Sequence, residues 1–251
     1  MLKKQRHQNI LATLKLEGKV VARELTQLLQ TSEDTVRRDL NEMATLGLLH
    51  RVHGGALPQT STAISYGFRE RESNAAKASI AAACVKMLRP GQVIMMDGGT
   101  TTHRVAQDLT PDFRGTILTN SVAILETLSS HPTVDVIGVG GRLFKEARCM
   151  VGAQAVGELS AVRADICIIG LNGIHPDVGL CALDYESVPV KAAMIRGARQ
   201  VVAVTASQKI GTVAPFVFGE ISSLTHLVTD SDAPEQALRP YRDAGIIVLT
   251  G

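Results

Sequence analysis

The chain of 251 residues has no tryptophan, and its other aromatic residues are five Phe and three Tyr. No apolar run approaches the ~18 residues of a membrane helix, and the basic residues Lys3, Lys4 and Arg6 are not followed by the apolar stretch of a secretion signal. The four cysteines are widely spaced and form no Cys-x-x-Cys pair. These absences lead us to expect a reduced, cytoplasmic protein that has no contact with a membrane.

Several patterns of nucleotide, metal and nucleophile sites are absent as well. The chain has neither the Gly-x-Gly-x-x-Gly of dinucleotide sites nor the Walker pattern, and its seven histidines form no His-x-x-x-His pair. No Gly-x-Ser-x-Gly elbow marks a nucleophile. A Ser-His-Asp triad stays open, because its members need not be close in sequence. We predict no catalytic residue, no metal site and no cofactor.

Charge is unevenly distributed along the chain. Residues 1–57 carry nine Lys/Arg and six Asp/Glu, whereas residues 58–251 carry 17 and 18. With 45% hydrophobic residues and a net charge of +2, the whole chain is too apolar for a disordered protein and can bury a large core. A small basic segment on a near-neutral body is typical of a polyanion-binding module, although such an excess is also common on solvated surfaces.

Three short helices are predicted in the basic segment, over residues 3–17, 21–29 and 32–46, with Gly18 and Gly47 ending the first and third. The apolar face of the second helix is predicted from Val21, Leu25, Leu28 and Leu29. Three such helices, with a short break between the second and third, are the outline of a helix-turn-helix.

The third helix has an apolar and a polar side. At ~100° per residue, Val36, Leu40 and Met43 form one buried stripe. The opposite side, rich in Arg, Asn, Thr and Asp, can bind base edges and phosphates, although an ordinary solvated face has the same composition. The segment from Leu48 to Leu57 predicts a two-stranded wing beside this helix. Including the wing, the predicted DNA-binding residues are Ser32, Asp34, Thr35, Arg37, Arg38, Asn41, Arg51 and His53.

Residues 58–74 are predicted as a linker, docked by Phe68 and Arg69, and residues 75–251 as a larger domain. Continuous apolar strands that alternate with helices indicate a mainly parallel sheet covered on both faces. Strands are predicted at 93–96, 116–118, 134–139, 166–169, 201–204, 227–228 and 246–249. Helices are predicted at 77–88, 102–109, 121–130, 153–161, 187–198 and 233–243.

Glycines and polar residues follow most of these strands, at the edge of a parallel sheet where ligands bind. After the first strand, Asp97–Thr102 offers two glycines, three hydroxyls and a helix N-terminus to an anion. A single glycine after a strand often only makes a turn, but several such loops together predict a site for a small phosphorylated, polyhydroxylated ligand. The predicted residues are Asp97, Gly98, Gly99, Thr100, Thr101, Thr102, Asn120, Gly140, Gly141, Arg142, Asn172, Gly173, Glu186 and Lys209.

Two motifs carry a family resemblance. Ser32-Glu-Asp-Thr-Val-Arg-Arg-Asp-Leu40 and Gly47-Leu-Leu-His-Arg-Val-His-Gly-Gly-Ala56 resemble the winged helix-turn-helix signature of DeoR-type bacterial transcriptional regulators. Over about residues 68–230 the strand-end loops, with Lys191 just before Met194, resemble the DeoR-type sensor domain, which is similar in fold to ribose-5-phosphate isomerase. The resemblance implies a sugar-phosphate site that includes Lys191 and binds its ligand without turnover.

The chain departs from this family pattern at one place. The family usually has Asp-x-Ser-Lys after the fifth strand, and this chain has Ala206-Ser-Gln-Lys209. A missing carboxylate in this loop could mark a different sugar.

Together these observations predict an α/β protein with a winged helix-turn-helix in residues 1–57, a linker in 58–74, and a sensor and oligomerisation domain in 75–251. The predicted function is a repressor of a carbohydrate-catabolism operon that binds double-stranded operator DNA as a homodimer or homotetramer and is released or modulated by a phosphorylated sugar.

Two alternatives stay open. In the first, the chain is a sugar-phosphate isomerase-like enzyme with an accessory DNA-binding domain. In the second, the larger domain serves assembly alone, and its glycine loops are merely turns. The candidate acids and bases of the enzyme are Asp97, Asp184, Glu186, Lys191 and Lys209.

Overall fold

The computed structural model describes residues 2–17, 19–45, 48–58, 66–71 and 74–251. The predicted helix ends at Gly18 and Gly47 lie outside these residues. The N-terminal domain consists of α1 (Lys3–Glu17), β1 (Val20–Val21), α2 (Ala22–Leu28), α3 (Glu33–Thr45), β2 (Leu49–Val52) and β3 (Gly55–Pro58). The three predicted helices are confirmed within a few residues at each end.

Apolar side chains of the three helices meet in one small core. Val36, Leu40 and Met43 are fully buried there, as their spacing in α3 predicts, and they pack with Ile10 of α1 and Leu25 of α2. Because burying a side chain of this size stabilises a fold by ~1.5–3 kcal/mol, this stripe fixes which side of α3 faces outward.

The apolar face of α2 is narrower than predicted. Leu25 and Leu29 are buried, but Leu28 is 54% exposed and Val21 is 36% exposed. The prediction was wrong for these two residues. Val21 precedes the helix, which begins at Ala22, and has extended backbone.

The wing has three strands rather than the predicted two. Val20 and Val21 pair with Ala56 and Gly55, so the antiparallel sheet has the order β1-β3-β2. Gly55 permits this pairing, since a Cβ at that position would overlap the carbonyl of Val20.

The larger domain begins with two helices and then alternates strands and helices. The helices are α4 (Tyr66–Arg71), α5 (Asn74–Val85), α6 (Thr100–Gln107), α7 (Val122–Leu128), α8 (Ala153–Ser160), α9 (Val188–Arg196) and α10 (Glu235–Asp243). The strands are β4 (Val93–Met96), β5 (Gly115–Thr119), β6 (Val134–Gly138), β7 (Arg142–Phe144), β8 (Cys149–Val151), β9 (Ala164–Gly170), β10 (Gly173–His175), β11 (Gly179–Ala182), β12 (Ala198–Val204), β13 (Phe216–Gly219), β14 (His226–Thr229) and β15 (Ile247–Thr250).

All seven predicted strands join one parallel sheet in the order β15-β14-β12-β9-β4-β5-β6. Strand β9 explains their continuous apolar sequence. Ile166 and Ile168 lie in the core on one face of the sheet, and Cys167 and Ile169 lie in the core on the other. Since helices cover both faces of the sheet, the side chains that point to either face of the strand are apolar.

The order of the strands reverses between β4 and β9, because β5 and β6 lie on one side of β4 and the later strands lie on the other. In open α/β sheets, ligands bind at such a reversal, beyond the carboxyl ends of the strands. Here the two ends are joined directly: the N–H of Asp97 donates to the carbonyl of Ile168 (3.0 Å), and the N–H of Gly170 donates to Asp97 Oδ2 (3.1 Å).

Five short strands of the larger domain were not predicted. Strands β7 and β8 form a hairpin, and β10, β11 and β13 form a second antiparallel sheet. The helix α4 also lies inside the segment that was predicted as a linker. No helix among the described residues is long and apolar enough to cross a membrane.

The wing packs on the larger domain. Leu57 of β3 is buried in one cluster with Cys181 of β11 and with Val213 and Ala214 in the loop before β13. This apolar contact joins the N-terminal domain directly to the sheet of β10, β11 and β13.

Candidate functional site

The outward side of α3 carries polar side chains where the helical geometry places them. Ser32 lies just before the helix, and its Oγ accepts a hydrogen bond from the N–H of Thr35 (3.3 Å), as in an N-cap. Ser32 and Thr35 therefore serve the start of the helix. The other predicted residues of α3 are all exposed: Asp34, Arg37, Arg38 and Asn41.

Arg51 connects the wing to this helix. Its Nε donates to Asn41 Oδ1 (3.1 Å), and its Nη1 donates to the carbonyl of Gly55. A groove of about 510 Å³ separates the helix from the wing and is lined by residues of both, including Arg37 and His53. Arg51 thus sets the angle between the two elements that border the groove.

A buried ion pair lies beneath this surface. Asp39 is 3% exposed and accepts hydrogen bonds from Arg6 Nε (2.6 Å) and Nη2 (3.0 Å), with His7 Nε2 at 3.3 Å. Burial opposes the ionisation of Asp39, yet the hydrogen bonds and charge of Arg6, followed by those of His7, hold the pKa of this carboxyl below its usual value. The pair fixes α1 against α3.

In the larger domain, the predicted residues Asp97 and Lys191 form an ion pair at the reversal of the sheet. Both side chains are more than 90% buried. Lys191 Nζ also donates to the carbonyl of Gly170 (2.9 Å) and lies 5.4 Å from the ring centre of Phe218. The pair connects the ends of β4 and β9 to α9. It forms the floor of this edge of the sheet, and its two opposite charges compensate each other.

Gly98 allows an unusually close approach beside this floor. A Cβ at Gly98 would overlap the Sγ of Cys149, the first residue of β8. Burial raises the pKa of the Cys149 thiol, which is neutral at physiological pH. The β7–β8 hairpin thereby closes over the loop that follows β4.

The helix α6 begins directly after this loop. Thr102 Oγ1 donates to the carbonyl of Gly99 (2.9 Å), and Thr101 and Thr102 are buried while Thr100 is half-buried. The N–H groups of a first helical turn have no acceptor within the helix, which makes this turn a donor set for an anion.

Asn120 brings an unsatisfied acceptor to the same edge. It is 2% exposed, and its Nδ2 donates to the carbonyl of Met150 (3.0 Å), whereas its Oδ1 is buried without a hydrogen-bond partner. A buried amide oxygen without a donor is uncommon in proteins. A ligand hydroxyl is a donor of the kind that this oxygen needs.

Two predicted residues of opposite charge lie farther out. Arg142 Nη2 and Glu186 Oε2 form an ion pair, with side chains 61% and 47% exposed. Nearby, the N–H of Gly140 donates to Glu158 Oε2 (2.8 Å), and Gly141 has a φ of 133°, which favours glycine. Arg142 lies in β7 with Gly140 and Gly141 just before it, whereas Glu158 lies in α8 and Glu186 lies just before α9.

The last three predicted residues mainly hold the fold together. Asn172 Oδ1 accepts from the N–H of Leu183 (3.3 Å), and Lys209 Nζ donates to the carbonyl of Leu171 (3.0 Å). Gly173 lies in β10, where a Cβ would come within 2.9 Å of the carbonyl of Thr212. The structure therefore brings Asp97–Thr102, Asn120 and Lys191 into one neighbourhood, while Asn172 and Gly173 serve backbone packing. The described residues contain no group of three or more side chains suited to a metal ion.

Comparison with known families decides the assignment of both domains. The DeoR-like helix-turn-helix domain matches residues 6–62, and the DeoR C terminal sensor domain matches residues 72–231. The chain belongs to the DeoR family. The family resemblance of the sequence motifs is confirmed.

Curated relatives of this DeoR-family chain match over nearly its whole length. The glycerol-3-phosphate regulon repressor of Escherichia coli is 32% identical over 244 residues, which is 97% of each chain. The repressor of the same name from Haemophilus influenzae is 33% identical over 92% of this chain and 90% of its own. The HTH-type transcriptional repressor GlcR of Bacillus subtilis is 30% identical over 99% of this chain and 96% of its own.

Among solved structures, ribose 5-phosphate isomerase A from Methanocaldococcus jannaschii is similar to this chain at 14% sequence identity, with a TM-score of 0.40 over 53% of this chain and 52% of its own. The eIF2B beta subunit from Chaetomium thermophilum is similar at 15% identity, with a TM-score of 0.49 over 68% of this chain and 54% of its own.

Three residues of this DeoR-family chain escaped the sequence analysis. Asp39 and Cys149 occupy positions whose partners are far away in sequence, and Phe218 lies in a strand that was not predicted. A signal existed only for Asp39: a carboxylate next to Leu40 on the buried side of α3 needs a cation.

Proposed function

We propose that this chain is a DNA-binding transcriptional repressor whose affinity for its operator is lowered by a small phosphorylated sugar or polyol. The observation that carries the proposal is the pairing of an exposed polar side of α3 and wing, which present Arg37, Arg38 and Arg51, with a polar sheet edge that contains the unsatisfied Asn120 Oδ1. The curated relatives, which are named as repressors, support it.

The DNA-binding part of the proposal places α3 in the major groove. Arg38 and Asn41 would contact base edges from the exposed side of the helix, and His53 would reach a phosphate from the tip of the wing. Arg51 would act mainly by holding the wing against α3, because its guanidinium already bonds Asn41 and Gly55. One such domain touches few bases, so a homodimer or homotetramer that binds paired half-sites belongs to the proposal.

The effector part places the ligand phosphate at the first turn of α6, over Gly98 and Gly99, with a ligand hydroxyl at Asn120. We propose binding without turnover. The groups best placed to move a proton, Asp97 and Lys191, are bonded to each other in the floor of the site. A ligand that prefers the conformation with low DNA affinity then weakens operator binding by its differential binding free energy.

Fluorescence anisotropy with labelled DNA from upstream of the chain's own gene tests both parts. Arg38→Ala should weaken specific binding by about tenfold or more, because a good base contact contributes about 1–3 kcal/mol of discrimination. Arg89→Ala, which removes an exposed arginine of the larger domain, is the matched control and should bind as the wild type does. Among added ligands, glycerol 3-phosphate and hexose phosphates are compared with glycerol and the free hexoses, and only phosphorylated compounds should lower the affinity.

Equal operator affinity of the Arg38→Ala variant and the wild type would contradict the assignment of α3. A response to the unphosphorylated compounds, or to none of the phosphorylated ones, would contradict the assignment of the effector.

A further inference from the structure

One contact between α4 and the rest of the larger domain is made by the side chain of Tyr66, which is 3% exposed. Its hydroxyl is hydrogen-bonded to Nδ1 of His103 (3.1 Å). The guanidinium groups of Arg148 and Arg69 lie 5.5 Å and 5.8 Å from the centre of the Tyr66 ring. Because α4 is the first helix of the larger domain after the wing, this contact helps to fix where the chain that leads from the wing joins the larger domain.

Both partners of Tyr66 on the larger domain adjoin the proposed effector site. His103 directly follows Thr102 in the first turn of α6, and its Nε2 is bonded to Thr127 Oγ1 (2.8 Å). Arg148 directly precedes Cys149, whose Sγ fills the space over Gly98. A displacement of the Gly98–Thr102 loop by a ligand is therefore passed to Tyr66 by two residues, His103 and Arg148.

The contact of α4 is polar and incompletely satisfied. Arg69 Nε is buried without a hydrogen-bond partner, and Glu70 Oε1 lies 3.5 Å from His103 Nδ1. Burial lowers the pKa of His103, so its ring is neutral at physiological pH. Contacts of this kind are exchanged between two arrangements more easily than a close-packed apolar contact is.

We propose that Tyr66 couples the effector site to the DNA-binding domain: a ligand at the Gly98–Thr102 loop moves His103 and Arg148, and α4 leaves its position with them. The inference rests on the proposed function and deepens it, because it names the residue through which the site acts. Coupling between two sites changes affinity by typically 5–150-fold, so the loss of this contact is measurable.

The first experiment needs no ligand. Operator affinity of the full-length Tyr66→Ala variant is measured by anisotropy and should differ from that of the wild type by about fivefold or more, in the direction of weaker binding. Tyr66→Phe keeps the ring under Arg148 and should give a smaller change. Tyr241→Phe, which removes a buried hydroxyl bonded to the carbonyl of Ile174, is the matched control and should leave operator affinity unchanged.

The second experiment adds glycerol 3-phosphate at a saturating concentration, at which a further increase no longer changes the operator affinity of the wild type. In the wild type the ratio of operator affinities without and with ligand should exceed five, and in Tyr66→Ala it should approach one. Thermal shift should show that the variant still binds the ligand. Thr127→Val, which removes the second partner of His103 without touching α4, should weaken operator binding in the same direction.

The outcomes separate this inference from the proposed function. If the wild type responds to glycerol 3-phosphate and Tyr66→Ala responds equally, the coupling role of Tyr66 is wrong and the proposed function stands. If the wild type binds no operator DNA, the proposed function itself fails. If the wild type binds DNA but ignores this ligand, the first experiment decides, and wild-type affinity in both Tyr66→Ala and Thr127→Val overturns the inference.

Discussion

At Gly98 the lack of a side chain determines how closely two segments of the effector site approach. The Sγ of Cys149 occupies the space that a Cβ would need, whereas the Cβ of Cys149 would be 3.5 Å away, an ordinary contact distance. The Sγ of Cys149 is therefore the atom that would clash with the Cβ of an alanine at position 98.

Gly98→Ala should destabilise the protein by about 1–3 kcal/mol through overpacking, and it should also weaken ligand binding. The double variant Gly98→Ala/Cys149→Ala should recover most of this stability, because the substitution at residue 149 removes the clashing sulfur. Chemical denaturation measures the stability of the single and the double variant. Gly157→Ala is the control, since a Cβ at Gly157 in α8 meets nothing within 4 Å. Additive effects of the two substitutions would show that the sulfur is not the obstacle.

Site residues that are recognisable from their own chemistry were predicted from the sequence. Residues whose role depends on a partner far away in the sequence were not. Asp97 and Lys191 were predicted, the first as the residue that ends a buried strand and the second through the family resemblance. Neither could be paired with the other, because 94 positions separate them. Cys149 carried no signal, since its role is to fill space above Gly98 in a hairpin that the sequence did not predict.

Between α1 and α3, the interaction that stands out is the ion pair of Arg6 and Asp39. Because the pKa of Asp39 is lower in the folded protein than in the unfolded chain, the folded state binds fewer protons. The stabilisation is therefore present above the unfolded pKa and is lost as the pH falls through the folded value. This interaction should weaken below about pH 4.

Asp39→Asn should cost about 3 kcal/mol at pH 7, because it removes the buried carboxylate that accepts two hydrogen bonds from Arg6. The difference in free energy of unfolding between wild type and variant should shrink between pH 5 and pH 3, as measured by denaturant titration in that range. Asp108→Asn, which breaks the more exposed pair with Arg104, should cost less than about 1 kcal/mol. A wild-type-to-variant difference that is constant from pH 7 to pH 3 would contradict this account.

The sequence predicted two kinds of element: strands that are buried on both faces of the sheet, and helices with one continuous apolar stripe. All seven strands of the parallel sheet were found from their apolar runs, and α3 from its stripe. The strands β7, β8, β10, β11 and β13 were not, because they have three or four residues each and pair in antiparallel order with partners that local sequence does not indicate. The helix α4 has six residues and depends on Tyr66, so it too lacked a periodic signal.

Over the whole molecule, the N-terminal domain packs on the larger domain where Leu57 of the wing contacts Cys181. Burial raises the pKa of the Cys181 thiol, so it is unreactive on two counts, access and ionisation. The contact makes the position of the wing measurable through the chemistry of one thiol.

Leu57→Ala should expose Cys181 and raise its rate of alkylation by about tenfold or more, measured by mass spectrometry of the labelled peptide. Cys84 and Cys167, which are buried in the sheet domain away from the wing, should label as slowly as in the wild type. Val21→Ala is the matched control, because Val21 belongs to the same wing but is exposed. Unchanged labelling of Cys181 would mean that Leu57 does not shield it.

Strand β3 ends at Pro58 and α4 begins at Tyr66, so seven residues join the wing to the place where α4 is seated. Fully stretched, seven residues reach roughly 25 Å, which is less than the ~34 Å of one turn of duplex DNA. This segment therefore limits how far the DNA-binding domain can move away from the larger domain. If two copies of the chain bind one operator, an insertion of one full turn of DNA between the half-sites is therefore longer than this segment can span.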